Sequence, residues 1–214
     1  MTAPIDPSLP EEPTMSPVVA TMSISLDGVG CGENQTLERP FGDMPEGVLH
    51  RWMFEQPEEN RAERDAILGA GAYIMGRHMF GPIRGEWTGD WTGWWGDEPP
   101  YHAPVFVLTH YPREPIEMAG GTTFHFVTDG IHAALDRARD AAGDRAIHVA
   151  GGPGTTNAYL AAGLVDELRL NIAPIVVGEG IRLFDGVGRL DLEPLEVRST
   201  PLATHAHYRV GYPG

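Results

Sequence analysis

The sequence predicts an α/β fold, a sheet with helices on both faces that closes in an antiparallel hairpin. Three observations carry this. Short apolar, β-branched runs recur from residue 18 to residue 210. Stretches with helical spacing lie between them, the clearest at 131–142. The last two runs, 190–197 and 203–210, alternate polar and apolar residues as paired antiparallel strands do.

In order along the chain, VVATMSISL at 18–26 predicts a strand ended by Asp27-Gly28, and Gly28, Gly30 and Gly32 mark an irregular loop. Pro45 precedes Leu49, Trp52 and Met53, which have helical spacing. After Pro57 the stretch 58–69 reads as a second helix or a continuation, ended by Gly69 and Gly71. A short buried strand at 72–75 leads into Gly76-Arg77-His78. The span 85–102 holds Trp87, Trp91, Trp94 and Trp95, interleaved with Gly and Asp. A loop this long either covers a site or is pinned to the surface by its own aromatics. Strands at 105–109 and 122–128 follow. Asp129 then reads as the N-cap of an amphipathic helix with the stripe Ile131, Ala134, Leu135, Ala138 and Ala142, stopped by Gly143. A strand at 146–150 runs into Gly151-Gly152-Pro153-Gly154, with a helix at 155–162 behind it. The span 165–177 is strand-rich, broken at Pro174. No internal repeat or linker divides the chain, so one domain is expected over 18–214, preceded by an extended, Pro- and Glu-bearing arm at 1–17.

Charge narrows the function classes. The chain has 214 residues, with 15 Arg, no Lys and 30 Asp plus Glu, a net charge of −15. That excess repels phosphate backbones and anionic membrane surfaces, so neither nucleic acid nor membrane is an expected partner. No apolar run approaches the ~18–20 residues of a membrane span, and residues 1–17 lack the basic and apolar regions of a signal peptide. The single Cys31 excludes an internal disulfide and a Cys-based zinc cluster. A cytoplasmic protein acting on a small molecule is the expectation. His205 and His207 share one face of a strand, but with no third ligand in view they read as polar side chains on a solvent face, and no metal is expected.

The strongest local signal is the Gly-Gly turn between a buried strand and a helix. Glycine lets the backbone approach a pyrophosphate, and the helix start offers free N–H groups and a positive dipole end. Such a turn holds an anion without an Arg; it is also a common way to make a tight bend. Arg77 directly follows another strand, at the edge where α/β sheets bind ligands. Its fork suits phosphate, and it equally suits one of the many surface carboxylates.

Five segments in order, MSISLDG at 22–28, YIMGRHMF at 73–80, PVFVLTHYP at 104–112, HVAGGPGTTNAYLAAGLVDEL at 148–168 and APIVVGEGIRLF at 173–184, resemble the dihydrofolate reductase superfamily. They are most similar to the reductase domain of riboflavin biosynthesis and its stand-alone bacterial relatives. The resemblance implies a dihydrofolate reductase-like, mostly parallel twisted sheet that binds NADPH. It implies that Arg77, with Gly76 and His78, meets the adenosine 2′-phosphate or the pyrophosphate, and that Leu108, Thr109 and His110 lie beside the adenine ribose. Gly151, Gly152, Gly154, Thr155 and Thr156 would cradle the pyrophosphate, and Met22 and Ser23 would face the nicotinamide. It further implies a homodimer.

Several residues depart from the family pattern. Met79 stands where a Thr commonly follows Gly-Arg, and Pro153 removes one N–H from the phosphate turn. Glu46 is the acid nearest to where folate reductases carry their pterin-binding carboxylate. Asp27, leaving the first strand near the expected nicotinamide, is the other catalytic candidate, to orient a substrate or relay a proton; its alternative role is an Asx turn before Gly28. Cys31 has no base in view to make it a nucleophile. The expected function is hydride transfer from NADPH to a small heterocyclic (pterin- or ribityl-pyrimidine-like) or carbonyl substrate. The competing expectation is a non-catalytic nucleotide- or flavin-binding protein of the same fold.

Overall fold

Side chains alternate along a strand, and the first strand uses both of its faces. It is buried along its whole length, with Val18, Ala20, Met22 and Ile24 entering the larger apolar core and Thr21, Ser23 and Ser25 facing the other way. A computed structural model of the chain describes residues 16–213; the expected N-terminal arm falls outside them except for its last two residues. In chain order the strands are β1 (Val18–Ser25), β2 (Val29–Cys31), β3 (Ala72–Gly76), β4 (Pro104–Leu108), β5 (Ile116–Glu117), β6 (Thr123–Val127), β7 (Ile147–Gly151), β8 (Glu167–Ala173), β9 (Ile181–Arg182), β10 (Asp191–Ser199) and β11 (Thr204–Gly211). Nine of them form one sheet in the order β10-β11-β8-β1-β7-β3-β4-β6-β5. Every neighbouring pair from β8 to β6 is parallel. The C-terminal β10–β11 hairpin adds antiparallel to β8, as its alternation predicts.

The helices are α1 (Arg51–Phe54), α2 (Arg61–Leu68), α3 (Arg77–Phe80), α4 (Gly130–Ala142) and α5 (Pro153–Ala161). The predicted stripe of α4 is the face it buries: Ala134, Leu135, Ala138 and Ala142 lie in the core, Ile131 packs at its margin, and Gly143 ends the helix at φ 63°. Asp129 holds the N-cap position without capping; its carboxylate pairs with Arg137 instead. The helix expected around Leu49, Trp52 and Met53 is only one turn, because no side chain caps its start and Pro57 bars its extension. Its anchor is the fully buried Trp52. The glycine loop at 28–32 contains a short strand, since Val29 and Cys31 pair with β9.

Around β3, β4 and β6 the face carrying Tyr73, Met75, Val105, Val107, Phe124 and Phe126 is covered by the Trp-rich loop. Trp87, Trp91 and Trp95 pack on that second core, and Trp95 lies against both Tyr101 and Phe124. Toward β11 the same face turns polar. Two rows cross four strands in register, Ser23–Asn171–His205–Arg198 and Thr21–Arg169–His207–Glu196. This corrects the solvent-face expectation for the two histidines. His205 is 6% exposed, its ring nitrogens 2.7 Å from Asn171 Oδ1 and 2.9 Å from Asn60 Oδ1. His207 Nε2 lies 2.8 Å from Glu167. Alternation tells which residues share a face but not what covers it; here the segment around Asn60 and Glu63 does. Among the described residues no His, Cys, Asp and Glu converge as a metal site, and no helix is long and apolar enough to cross a membrane.

Candidate functional site

The C-terminal ends of the parallel strands bring the motif residues to one line. Gly151 is the register partner of Met75, one residue before Gly76, and Gly76 is the partner of Leu108. A Cβ on Gly76 would strike the Thr155 hydroxyl, so the Gly-Arg motif and the helix after the Gly-Gly turn touch. Gly151 has φ 104°, in the left-handed range that favours glycine, and a Cβ there would lie 3.0 Å from Met22 Sδ and 3.8 Å from Met79 Sδ. Met79 therefore replaces the family's Thr with an apolar contact beneath the turn.

The Gly151–Gly152 peptide is cis. Pro153 is the first residue of α5, where its missing N–H costs nothing within the helix, and its ring fits against Gly30, where a Cβ would be 2.6 Å from Pro153 Cγ. Thr156 N–H already donates to Gly152 O at 3.1 Å, and Thr156 is fully buried, so it does not present a side chain to a ligand. Gly154 and Thr155 keep the free N–H groups of the helix start. A Cβ on Gly152 or Gly154 would meet nothing within 4 Å, so open space lies before the turn. The Asn157 side chain ties α5 to the β9 strip, donating to Arg182 O and accepting from Phe184 N–H.

Arg77 opens α3, and its guanidinium lies 3.8 Å from the Trp87 ring centroid and 5.3 Å from that of Tyr111. Arg113 sits 4.9 Å from the same Trp87 ring. Arg77 Nη1 reaches Thr109 Oγ1 at 3.4 Å, while its Nε and Nη2 are buried with no hydrogen-bond partner. Burial, then Arg84 and Arg113, push the Arg77 guanidinium below its ordinary value. Burial, then Arg84 and Arg77, lower His78 as well. Among the described residues, Arg77, Arg84 and Arg113 form no ion pair, although most other arginines do. His78 and His110 are exposed beside them. Sequence reasoning found Arg77 and missed Arg84 and Arg113. Nothing local in the sequence marks them, since both have acids nearby in the chain, Glu86 after Arg84 and Glu114 and Glu117 after Arg113.

The acids fare differently. Asp27 Oδ1 accepts from the Ser25 hydroxyl at 2.7 Å and from Val177 N–H at 3.0 Å, and Oδ2 accepts from Gly178 N–H at 2.9 Å. Arg182 also donates to the Asp27 backbone carbonyl. The Ser25 hydroxyl first, then the Val177 N–H, hold this carboxylate far below the ordinary range. The geometry makes it the clasp between the end of β1 and the 176–182 strip. Glu46 is exposed in a pocket of about 360 Å³ lined only by residues 38–46, and the structure does not bring it to the turn. Burial pushes the Cys31 thiol up to about 11, which keeps it protonated.

The model of the RibD C-terminal domain family matches residues 17–206. A Shewanella sp. PV-4 protein assigned to riboflavin biosynthesis superposes with a TM-score of 0.62 at 19% identity, over 92% of this chain and 99% of the other. The Thermotoga maritima diaminohydroxyphosphoribosylaminopyrimidine deaminase/5-amino-6-(5-phosphoribosylamino)uracil reductase gives 0.55 at 16% identity, over 91% of this chain and 56% of the longer enzyme. Dihydrofolate reductase from Enterococcus faecalis, complexed with NADP(H), gives 0.55 at 14% identity, over 92% and 98%. At these identities the likeness is one of fold. No curated protein matches the sequence.

Proposed function

The chain belongs to the RibD C-terminal domain family, and on that premise we propose that it is a reductase using NADPH on a small heterocyclic or carbonyl substrate. The observation that carries the cofactor is the unpaired arginine cluster beside the glycine turn. In a chain of net charge −15, an Arg77 with two buried, unpartnered nitrogens fits a phosphate that completes its hydrogen bonds. Arg84 and Arg113 add charge that would discriminate a 2′-phosphate from a hydroxyl. Gly152 and Gly154 leave room for the pyrophosphate, and the Gly154 and Thr155 N–H groups would bind it. Met22 and Gly151 then line the end of the cleft where the nicotinamide belongs.

When bound, NADPH supplies the hydride, and no protein nucleophile is needed. The chain's task is to hold the dinucleotide, exclude water and orient the acceptor. Asp27 contributes by fixing the strip opposite α5. Because both of its oxygens are engaged, it is a positioning residue and not a proton relay. That same engagement favours the second reading, a nucleotide- or flavin-binding protein without turnover. We extend the proposal to a homodimer, supported by the apolar Leu195 and Val197 exposed on the edge strand β10; light scattering would report about twice the 23.3 kDa chain mass. NADPH consumption measured across pterins, flavins, ribityl-pyrimidines and quinones tests the activity. One substrate turned over supports it; NADPH binding with no oxidation across the panel overturns it in favour of the second reading, which a yellow purified protein would also indicate.

A further inference from the structure

On the polar face of the sheet, away from Met22 and the glycine turn, lies a cavity of about 160 Å³ lined by Thr21, Glu63, Arg169, Asn171, Arg198 and His205 among others. Two groups on its wall are buried without partners. Thr21 is 8% and Asn171 3% exposed, and neither Thr21 Oγ1 nor Asn171 Nδ2 has a hydrogen-bond partner in the protein. Buried polar groups are rarely left so, and each such group asks for an occupant. Arg169 completes the row of Thr21 and, among the described residues, forms no ion pair.

The hydrogen bonds around His205 say what kind of occupant fits. Asn60 Nδ2 donates to the carbonyls of Trp52 and Gln56, at 2.9 and 2.8 Å, so its Oδ1 is the acceptor that meets His205 Nε2. That nitrogen carries a proton. His205 Nδ1 lies 2.7 Å from Asn171 Oδ1, also an acceptor, so in this amide orientation the contact takes a second proton on the ring, which burial first and then Arg198 oppose and Glu63 favours. In that state Asn171 Nδ2 is left without a partner on a cavity wall that also carries Arg169. With a neutral ring, the Asn171 amide would turn to donate to Nδ1 and present its oxygen instead. The charged groups facing the ring are Glu63 from α2 and Arg198 from β10, which bond each other at 2.7 Å. Glu167 is engaged with His207, and Glu196 is exposed at the rim.

We propose that this cavity is a binding site for a small carboxylate, which lies between Arg169, Asn171 Nδ2 and Thr21 Oγ1 and is taken up together with a proton on His205. The planar guanidinium and the amide N–H suit the two oxygens of a carboxylate. The site is separate from the cofactor cleft and does not depend on the reductase reading.

The test is a titration of the full chain with acetate, and separately with sulfate, followed by the indole N–H resonance of Trp52. That ring lies 5.1 Å from His205 and donates to Ser23 Oγ, and its resonance is assigned with W52F. Both ions keep their charge between about pH 6 and 8, so any pH dependence belongs to the protein. The expected result is saturable binding of acetate that weakens about tenfold per pH unit above the ring's own pKa. R169Q should weaken it at least about tenfold. T21V, which removes only an unpartnered hydroxyl, should weaken it too with the thermal midpoint kept, and it carries the test if R169Q does not fold. Linear, unsaturable shifts, or binding unchanged in both variants, overturn the site. Binding of sulfate but not acetate overturns the carboxylate assignment, and pH-independent binding overturns the coupling to His205.

Discussion

Arg77 and Asp27 show how differently two singled-out residues are used once the chain is folded. Arg77 keeps unsatisfied donors at the C-terminal edge of the parallel strands, whereas the Asp27 carboxylate oxygens are occupied by Ser25, Val177 and Gly178. Asp27→Asn is therefore expected to lower the thermal midpoint while any turnover survives; loss of turnover at an unchanged midpoint would restore a catalytic role. The glycines were legible in the sequence, because a Gly-Gly pair between a strand and a helix implies a close backbone approach that no other residue allows. Arg84 and Arg113 were not. Their approach to Arg77 spans separate loops, and nothing local distinguishes an arginine that will find a carboxylate from one that will not. His205 was misread for a related reason: its periodicity was correct, but the cover provided by Asn60 and Trp52 comes from far away in sequence.

At the scale of elements, the helices separate into two kinds. α4 is legible because its stripe is long and buries Leu135 at 1% exposure; Leu135→Ala should cost about 2–5 kcal/mol in denaturant unfolding. α1 is one turn held by Trp52, and spacing alone overstated it. The strand-to-helix connection at Gly151 is tightly constrained. Gly151→Ala places a side chain at φ 104° against Met22 and should destabilise by about 1–3 kcal/mol. A fully stable G151A would refute the close packing of β1 on the turn. The Trp-rich loop is pinned to the fold by its own aromatics. Its Trp95 replaces a covering helix over Phe124, while Trp87 forms the surface on which Arg77 lies. Composition marked the loop as unusual, but only the tertiary structure assigns its two ends.

Over the whole molecule, His50 and His148 make stability depend on pH. Burial lowers His50 and His148 from 6.5 to about 4. Both are neutral in the folded chain and protonate more readily when it unfolds, so their contribution is complete above pH 6.5 and is lost as pH falls toward 4. The thermal midpoint should drop across that window, and H148F should flatten the drop; equal slopes for both proteins would rule out His148 as a cause. The net charge of −15 first served to exclude nucleic acids. In so acidic a chain, the clustering of Arg77, Arg84 and Arg113 without ion pairs supports the proposal that an anion binds there. The most direct measurement of that claim is tryptophan fluorescence titrated with NADPH and with NADH, for the native chain and for Arg77→Gln. The expected result is saturable quenching, with NADPH bound at least about tenfold more tightly than NADH. NADPH affinity should fall by about 10- to 100-fold in the variant, as loss of charge-assisted hydrogen bonds of ~1.5–3 kcal/mol requires, and the preference over NADH should shrink with it. Equal affinity for the two dinucleotides, or no quenching by either at millimolar concentration, would contradict it.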